Sequence, residues 1–409
     1  MSSLFILSSD KLYNENSAGA ARMMNYAKAL ANEGVNVYFC SSALEYRFKD
    51  DKTIKIKENI YYLGVERTKK RNKILNKLFS IYYTILYLNK VNKKIKSLKS
   101  HVVIYIYPSL DQYFIFLTLI LYKFCFKYKV YIEINELRSV TLIHWTYSQN
   151  KLKKIYESYN LFFKKIHFKI LEKLTKYYDG LIVISTNLEK YFSDHNSNII
   201  RIPILADIEQ GYHFPDKYDY HSEFKISFFG MIAYQKEGFL LLYQALKELK
   251  KTYPNFVLNL YGSIKPNEKE LILNSLPQEL GIKDNIQYFK PITHNQVLIE
   301  MQKNHLLILP RPKTLQNHYG FSTKLSEYMA SGIPFLVTDV SDNNFYIRDN
   351  YNGFIIPPDD KNALLQKLIF IISNYNSFKD EVTKNAFETA KEFFHYNLYS
   401  LKIKEFLKL

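Results

Sequence analysis

Tyr319-Gly320-Phe321-Ser322-Thr323-Lys324-Leu325-Ser326-Glu327-Tyr328-Met329-Ala330-Ser331-Gly332-Ile333-Pro334 lies between two short apolar runs, Leu306–Leu309 before it and Pro334–Val337 after it. The order is strand, loop, helix, strand. Ser322 or Thr323 starts the helix, and Gly332 with Pro334 stops it. A helix that carries the chain from one buried strand to the next is the repeating unit of a parallel sheet. A helix N-terminus just after a strand offers free N–H groups and the positive end of a dipole, which together suit a phosphate. Lys324 is in the first turn, and Glu327 is one turn along on the same face, where a carboxylate can accept from a ribose diol. Taken alone, these residues describe an ordinary capped helix with an exposed acid equally well.

The same grammar extends in both directions. Lys225–Phe229 reads as a strand followed by a helix from about Gly238 to Thr252, and Phe256–Tyr261 and Ile286–Tyr288 read as further strands. In the first half, Leu4–Leu7 and Val35–Cys40 flank a helix from about Ala18 to Asn32. Val102–Tyr107 and Val130–Ile134 flank an apolar helix, and Gly180–Ser185 and Ile199–Ile204 follow. Alternating strands and helices predict parallel sheets covered on both faces. A chain of 409 residues exceeds one comfortable core. The polar stretch around Pro215 places the boundary, giving domains at 1–205 and 206–409, with the last helix packing back on the first domain. The expected class is α/β: two doubly wound, Rossmann-like domains facing across a cleft, with ligand at the carboxyl ends of the strands.

Five segments in order resemble landmarks of the family 4 retaining glycosyltransferases, which have the GT-B fold. Gly320–Asp339 is similar to their donor-site segment. Phe228–Gly238, with Gly230 and Lys236, resembles the strand-end motif in which an Arg and a Lys clamp the donor diphosphate. Ser17–Arg22, with Gly19, resembles their first glycine loop; Tyr178–Ser185 and Asn352–Asp359 resemble two further landmarks. The resemblance implies transfer of a sugar, with retention, from a nucleotide-diphosphate donor held by the second domain to an acceptor held by the first. It implies a donor site of Gly19, Lys236, Arg311, Gly320, Phe321, Ser322, Thr323, Lys324 and Glu327, with Glu327 on the ribose.

The departures from the family pattern are specific. Tyr319 stands where the first of two paired glutamates belongs, which leaves Tyr319 on the sugar side. Met231 replaces the Arg of the diphosphate pair, so Lys236 is its charged member and Arg311 is available as the second cation. Where a His often follows the strand Val130–Ile134, this chain has Asn135 and Glu136, and either takes that place as the catalytic group. No Asp-x-Asp pair is present to hold a cation, and the ten His residues form no ligand-like spacing. Lys and a helix dipole then neutralise the diphosphate, with no metal and no cofactor.

Charge is divided unevenly. Residues 1–205 hold 33 Lys/Arg against 16 Asp/Glu, whereas residues 206–409 hold 23 of each. From Arg67 to Lys99 there are eleven basic residues and no acid, among them Lys69, Lys70, Arg71 and Lys73, with Ile74, Leu78, Ile81, Ile85 and Leu88 at helical spacing. That is the pattern of a basic amphipathic helix, which also serves as a packing helix with a solvated face. Phe162–Lys169 repeats the style, and Arg138 joins the same acceptor or membrane surface. The expected partners are a nucleotide sugar, a glycan or lipid-linked acceptor and an anionic membrane, with no nucleic-acid motif. The first ten residues lack a basic leader and read as a strand, and the longest apolar stretch, Tyr113–Tyr122, is too short to span. Two cysteines fit a reducing compartment. The expected location is therefore the cytoplasm, at the inner face of the cell membrane, in surface polysaccharide or glycoconjugate biosynthesis. Two alternatives remain: a sugar-nucleotide epimerase of the same shape, which needs acid/base carboxylates but not a first domain so strongly biased to positive charge, and a basic membrane- or nucleic-acid-binding protein without catalysis.

Overall fold

The computed structural model describes residues 2–8, 18–41, 46–67, 89, 92–98, 102–106, 113–141, 151–208 and 223–409. They form two compact units, one of residues 1–205 with 396–409 and one of residues 206–395.

The first unit holds an eight-stranded sheet. Its strands are β1 (Ser3–Ser8), β2 (Asn36–Ser41), β3 (Tyr46–Lys57), β4 (Ile60–Arg67), β5 (Val102–Ile106), β6 (Lys129–Ile134), β7 (Gly180–Val183) and β8 (Ile199–Arg201), in the order β3-β4-β2-β1-β5-β6-β7-β8. All neighbours are parallel except β3 and β4, an antiparallel pair at the edge. The wholly parallel sheet expected from the sequence is corrected there. Among the described residues, four helices of eight residues or more lie between these strands: α1 (Ala18–Asn32), α2 (Tyr113–Phe126), α3 (Lys151–Leu174) and α4 (Thr186–Ser193). Alanine-rich α1 puts Met23, Tyr26, Ala27 and Leu30 on one face, and these meet Leu4, Ile6, Val37 and Phe39 of the sheet. Each large apolar side chain fully buried there contributes ~1.5–3 kcal/mol.

Arg22 ties α1 to the sheet. It is buried and ion-paired with Glu133 of β6, and it donates to Tyr26 Oη at 3.0 Å and to the Ile202 carbonyl at 3.4 Å. Gly19, read as part of a loop, lies inside the first turn of α1. Arg67, read as the start of a basic helix, instead ends strand β4. Lys69, Lys70, Arg71 and Lys73 lie outside the described residues; of the rest of that stretch, residues 92–97 are helical.

The second unit holds six parallel strands: β9 (Phe224–Phe229), β10 (Phe256–Tyr261), β11 (Ile286–Phe289), β12 (Leu306–Leu309), β13 (Phe335–Thr338) and β14 (Phe354–Ile356). Their order is β11-β10-β9-β12-β13-β14. From β9 outward the chain winds first one way and then the other, the 3-2-1-4-5-6 arrangement of a dinucleotide-binding sheet. The reversal lies between β9 and β12. The strands inside the sheet are mostly apolar and buried on both faces, as a covered parallel sheet requires, whereas the edge strand β11 alternates between half-buried and exposed residues. Helices α5 (Phe239–Thr252), α6 (His294–Met301), α7 (Leu315–Tyr319), α8 (Thr323–Ala330) and α9 (Lys361–Phe394) connect or flank them. The 34 residues of α9 are capped by Asp360, whose carboxylate accepts from Ala363 N at 2.8 Å. The helix buries Leu364, Leu368, Ile371 and Tyr375 and then Val382, Ala386, Ala390 and Phe394, a sustained three-to-four-residue stripe. At its end Ala206 N donates to Phe394 O at 2.8 Å, joining the points where the chain enters and leaves this unit. The last helix, α10 (Ser400–Leu407), then adds Ile403 and Leu407 to the core of the first unit.

Candidate functional site

At the reversal point, the loops after β9 and β12 meet. Gly230 closes β9 with φ at 118°, and a Cβ added there would stand 2.3 Å from Lys324 Cε. Gly238 precedes α5 with φ at 74°, and a Cβ there would stand 2.0 Å from the Pro310 carbonyl oxygen. Both conformations favour glycine; the Pro310 backbone bars a Cβ at Gly238, and a Cβ at Gly230 would have to displace the end of the Lys324 side chain. Asn317 stitches the loops by donating to the Lys236 carbonyl at 3.0 Å and the Pro312 carbonyl at 2.9 Å. Thr338 Oγ1, at the end of β13, donates to the Arg311 carbonyl at 2.6 Å.

Glu237 sits inside this junction with 2% of its side chain exposed. Arg311 grips it with two parallel donors, Nε at 3.0 Å and Nη2 at 3.1 Å. Lys324 Nζ reaches the same carboxylate at 3.2 Å and lies 4.7 Å from the centre of the Phe228 ring. Burial alone would push the Glu237 carboxyl up. Arg311 and then Lys324 override it and hold its pKa at about 2. For Lys324, burial is the larger influence, opposed by Glu237 and reinforced by Arg311 and Lys236, and the ammonium is brought down to about 8. The two partners differ because one carboxylate serves two cations. With Glu237 gripped by both donors of Arg311, Lys324 is the surplus charge. A cluster of net charge +1, taken out of water and only partly offset by an aromatic face, favours an incoming anion.

Helix α8 begins beside it. Ser322 is the N-cap residue, but its side chain makes no capping bond, and its buried hydroxyl has no hydrogen-bond partner. The first-turn N–H groups and an unpartnered buried hydroxyl therefore converge next to the surplus cation. Phe321 is buried against Tyr346 and Phe394, with ring centres at 5.4 and 6.1 Å, and so fixes the entry to the helix. Tyr328 Oη accepts from Phe229 N at 3.0 Å and fixes the helix against the end of β9. Thr323 and Glu327 are half-buried on α8; Tyr319 and Gly320 are half-buried just before it.

The structure thus brings Lys236, Arg311, Gly320, Phe321, Ser322, Thr323, Lys324 and Glu327 to one end of one sheet. Gly19, Asn135, Glu136 and Arg138 belong to the other unit. Asn135 and Glu136 follow β6, and Glu136 accepts an ion pair from Arg138 at 2.9 Å. The residue that sequence reasoning missed is Glu237. Its signal was a lone acid between Lys236 and Gly238 at a strand end otherwise supplied with cations.

Residues 214–389, within the second unit, match the family model described as "Glycosyl transferases group 1". No curated protein matches the chain. Among solved structures, the sucrose-phosphate synthase of Thermosynechococcus elongatus is 14% identical with a TM-score of 0.70, the match covering 100% of this chain and 98% of that one. A glycosyltransferase from Rickettsia africae is 17% identical with a TM-score of 0.64 over 100% of this chain and 98% of that one. Anabaena HepE, solved in complex with UDP, is 13% identical with a TM-score of 0.63 over 100% of both chains. These likenesses establish the architecture over the full length. The fold is GT-B, and its second unit carries the match to the group 1 glycosyl transferases.

Proposed function

We propose that this protein transfers a sugar, with retention, from a nucleoside-diphosphate donor held by the second unit to a glycan or lipid-linked acceptor held by the first. The observation that carries the reading is the buried Arg311–Glu237–Lys324 cluster beside the start of α8 at the reversal of the sheet. In this reading, Lys324 and the first-turn N–H groups meet the diphosphate, Arg311 holds Glu237 in place, and Lys236 adds a further positive charge. Glu327 accepts from the ribose hydroxyls, Tyr319 lies toward the donor sugar, and Asn135, Glu136 and Arg138 serve the acceptor side. Positive charge fixed in a water-poor setting stabilises a departing diphosphate without reorganisation during the reaction. The same reading places the protein in glycoconjugate assembly as a peripheral protein at the inner face of the cell membrane. No helix among the described residues is long and apolar enough to cross a membrane.

Thermal stabilisation by a panel of nucleoside diphosphates and their sugars tests the assignment. Ligand at a hundred times its dissociation constant adds ~2.7 kcal/mol, and a panel without any response would remove the proposal. Transfer should also survive excess chelator, because cationic side chains take the place of a metal. Activity lost in EDTA and restored by manganese or magnesium would remove the cation-free part alone.

Glu327→Ala should weaken binding of the bare nucleoside diphosphate tenfold or more, about 1.4 kcal/mol, since two charge-assisted hydrogen bonds are lost. Glu327→Gln retains one acceptor and should be milder. Tyr319→Ala should lower turnover with the full donor yet leave nucleotide binding intact. Calorimetric titration of the three variants decides; unchanged affinity in Glu327→Ala would mean that this carboxylate does not touch the ribose.

A further inference from the structure

Helix α3 buries one side and exposes an apolar surface on the other. Phe168, Leu171 and Glu172 face the core, and Glu172 accepts from Ser139 N at 3.2 Å and from Tyr191 Oη at 3.0 Å. On the opposite side, Ile155, Tyr159, Phe162, Phe163, Ile166 and Ile170 are 41–67% exposed. Their spacing of four, three, one, three and four residues makes a continuous stripe on an α-helix, ~22 Å long at 1.5 Å per residue. Tyr159 and Phe163 touch with ring centres 4.5 Å apart, and Phe162 meets Phe163 at 5.6 Å. An ordinary surface helix carries polar residues there. At the end of the helix, Lys123 of α2 donates to the Tyr177 carbonyl at 2.8 Å and pairs with Asp179 at 3.1 Å. This ties α2, with exposed Leu121 and Phe124, to the turn that follows α3.

We propose that this stripe on α3 is the surface by which the protein lies on an anionic lipid bilayer, with the apolar side chains among the acyl chains and the lysines at the headgroups. The inference rests on the membrane-associated reading above and locates it on one helix. Charge selects the occupant. The 24 residues of α3 include seven Lys and two Glu, and Glu172 is the one buried against the core. Lys169 and Lys173, both exposed, flank the stripe, whereas exposed Lys164 lies toward the opposite side of the helix, and residues 1–205 as a whole hold 33 Lys/Arg against 16 Asp/Glu. A second copy of this face would bring lysine against lysine, whereas an anionic headgroup layer is complementary to it. Aromatic rings with short aliphatic neighbours suit the boundary of headgroup and acyl chain, at a depth of ~5–10 Å.

The test is co-sedimentation of the full chain with vesicles of phosphatidylcholine containing phosphatidylglycerol, and with phosphatidylcholine alone. The parent should bind the anionic vesicles and release in high salt. Phe162→Ser with Phe163→Ser, which removes two exposed side chains, should bind at least tenfold more weakly while keeping the parent's melting temperature and its stabilisation by nucleoside diphosphate. Replacing Lys69, Lys70, Arg71 and Lys73 by Ala should have a smaller effect. If those four replacements abolish binding and the double serine variant binds like the parent, the membrane reading stands and α3 is the wrong surface. If the parent ignores anionic vesicles, both fail. If the parent instead dimerises and the serine variant does not, the stripe is an interface between copies.

Discussion

Glu237→Ala should lower the stability of the second unit by about 3–5 kcal/mol, the cost of removing one partner from a buried ion pair and leaving the other uncompensated. Here one deletion strands two cations, Arg311 and Lys324, both within 3.2 Å of the lost carboxylate. For a unit of this size the melting temperature should fall by on the order of 10 °C. Arg311→Ala should also destabilise, yet less, because Lys324 still reaches Glu237. Denaturant titration of both variants provides the check. A Glu237→Ala protein within ~0.5 kcal/mol of the parent would mean that solvent screens the cluster, and the account of Lys324 as a surplus buried charge would fall with it.

Lys324→Met should do the reverse, sparing the fold and losing the ligand. The replacement keeps an unbranched chain against Phe228 and leaves Glu237 paired with Arg311. The surplus charge disappears, so stability should hold or rise. Nucleoside-diphosphate affinity should fall ten- to a hundredfold, about 1.4–2.8 kcal/mol, the range of a hydrogen bond to a charged group. The pH dependence gives an independent signature. The folded pKa of Lys324, about 8, lies below its ordinary 10.5. The unfolded chain therefore holds more protons between those values, and the unliganded fold gains stability as pH rises through that window. Ligand affinity runs the other way: a diphosphate needs the ammonium, so binding should be flat below about pH 8 and decline above it. Calorimetry across that range should show the decline in the parent and its absence in Lys324→Met. Equal affinity in the two proteins would put the phosphates elsewhere.

The architecture was legible because its elements repeat a simple periodicity. Ala18–Asn32 and the helix ending at Thr252 could be bounded from apolar spacing and flanking glycine. The buried strands could be read because both of their faces are apolar. The hairpin of β3 and β4 could not. Tyr-Arg-Phe-Lys-Asp-Asp-Lys-Thr-Ile-Lys-Ile-Lys, residues 46–57, is an edge strand whose charges hide its alternation. The site was legible to the extent that its residues cluster in sequence: Ser322, Thr323, Lys324 and Glu327 fall within two turns. Arg311 entered only as a neighbour, and its role depends on a partner 74 residues away. Glu237 stands in the same strand-end segment as Lys236 and Gly238. An acid among cations suggests solvent exposure, and only the packing of α5 against the loop after β12 buries it.

The position of α10 also bears on how the polypeptide matures during translation. Tyr396, Ile403 and Leu407 complete a core whose other members come from residues 4–205. The ribosome must therefore make the entire second unit before the first can close. At 5–20 residues per second, the 190 residues from Ala206 to His395 take roughly 10–40 s. For that interval the flank of α1 that packs on α10 stays uncovered.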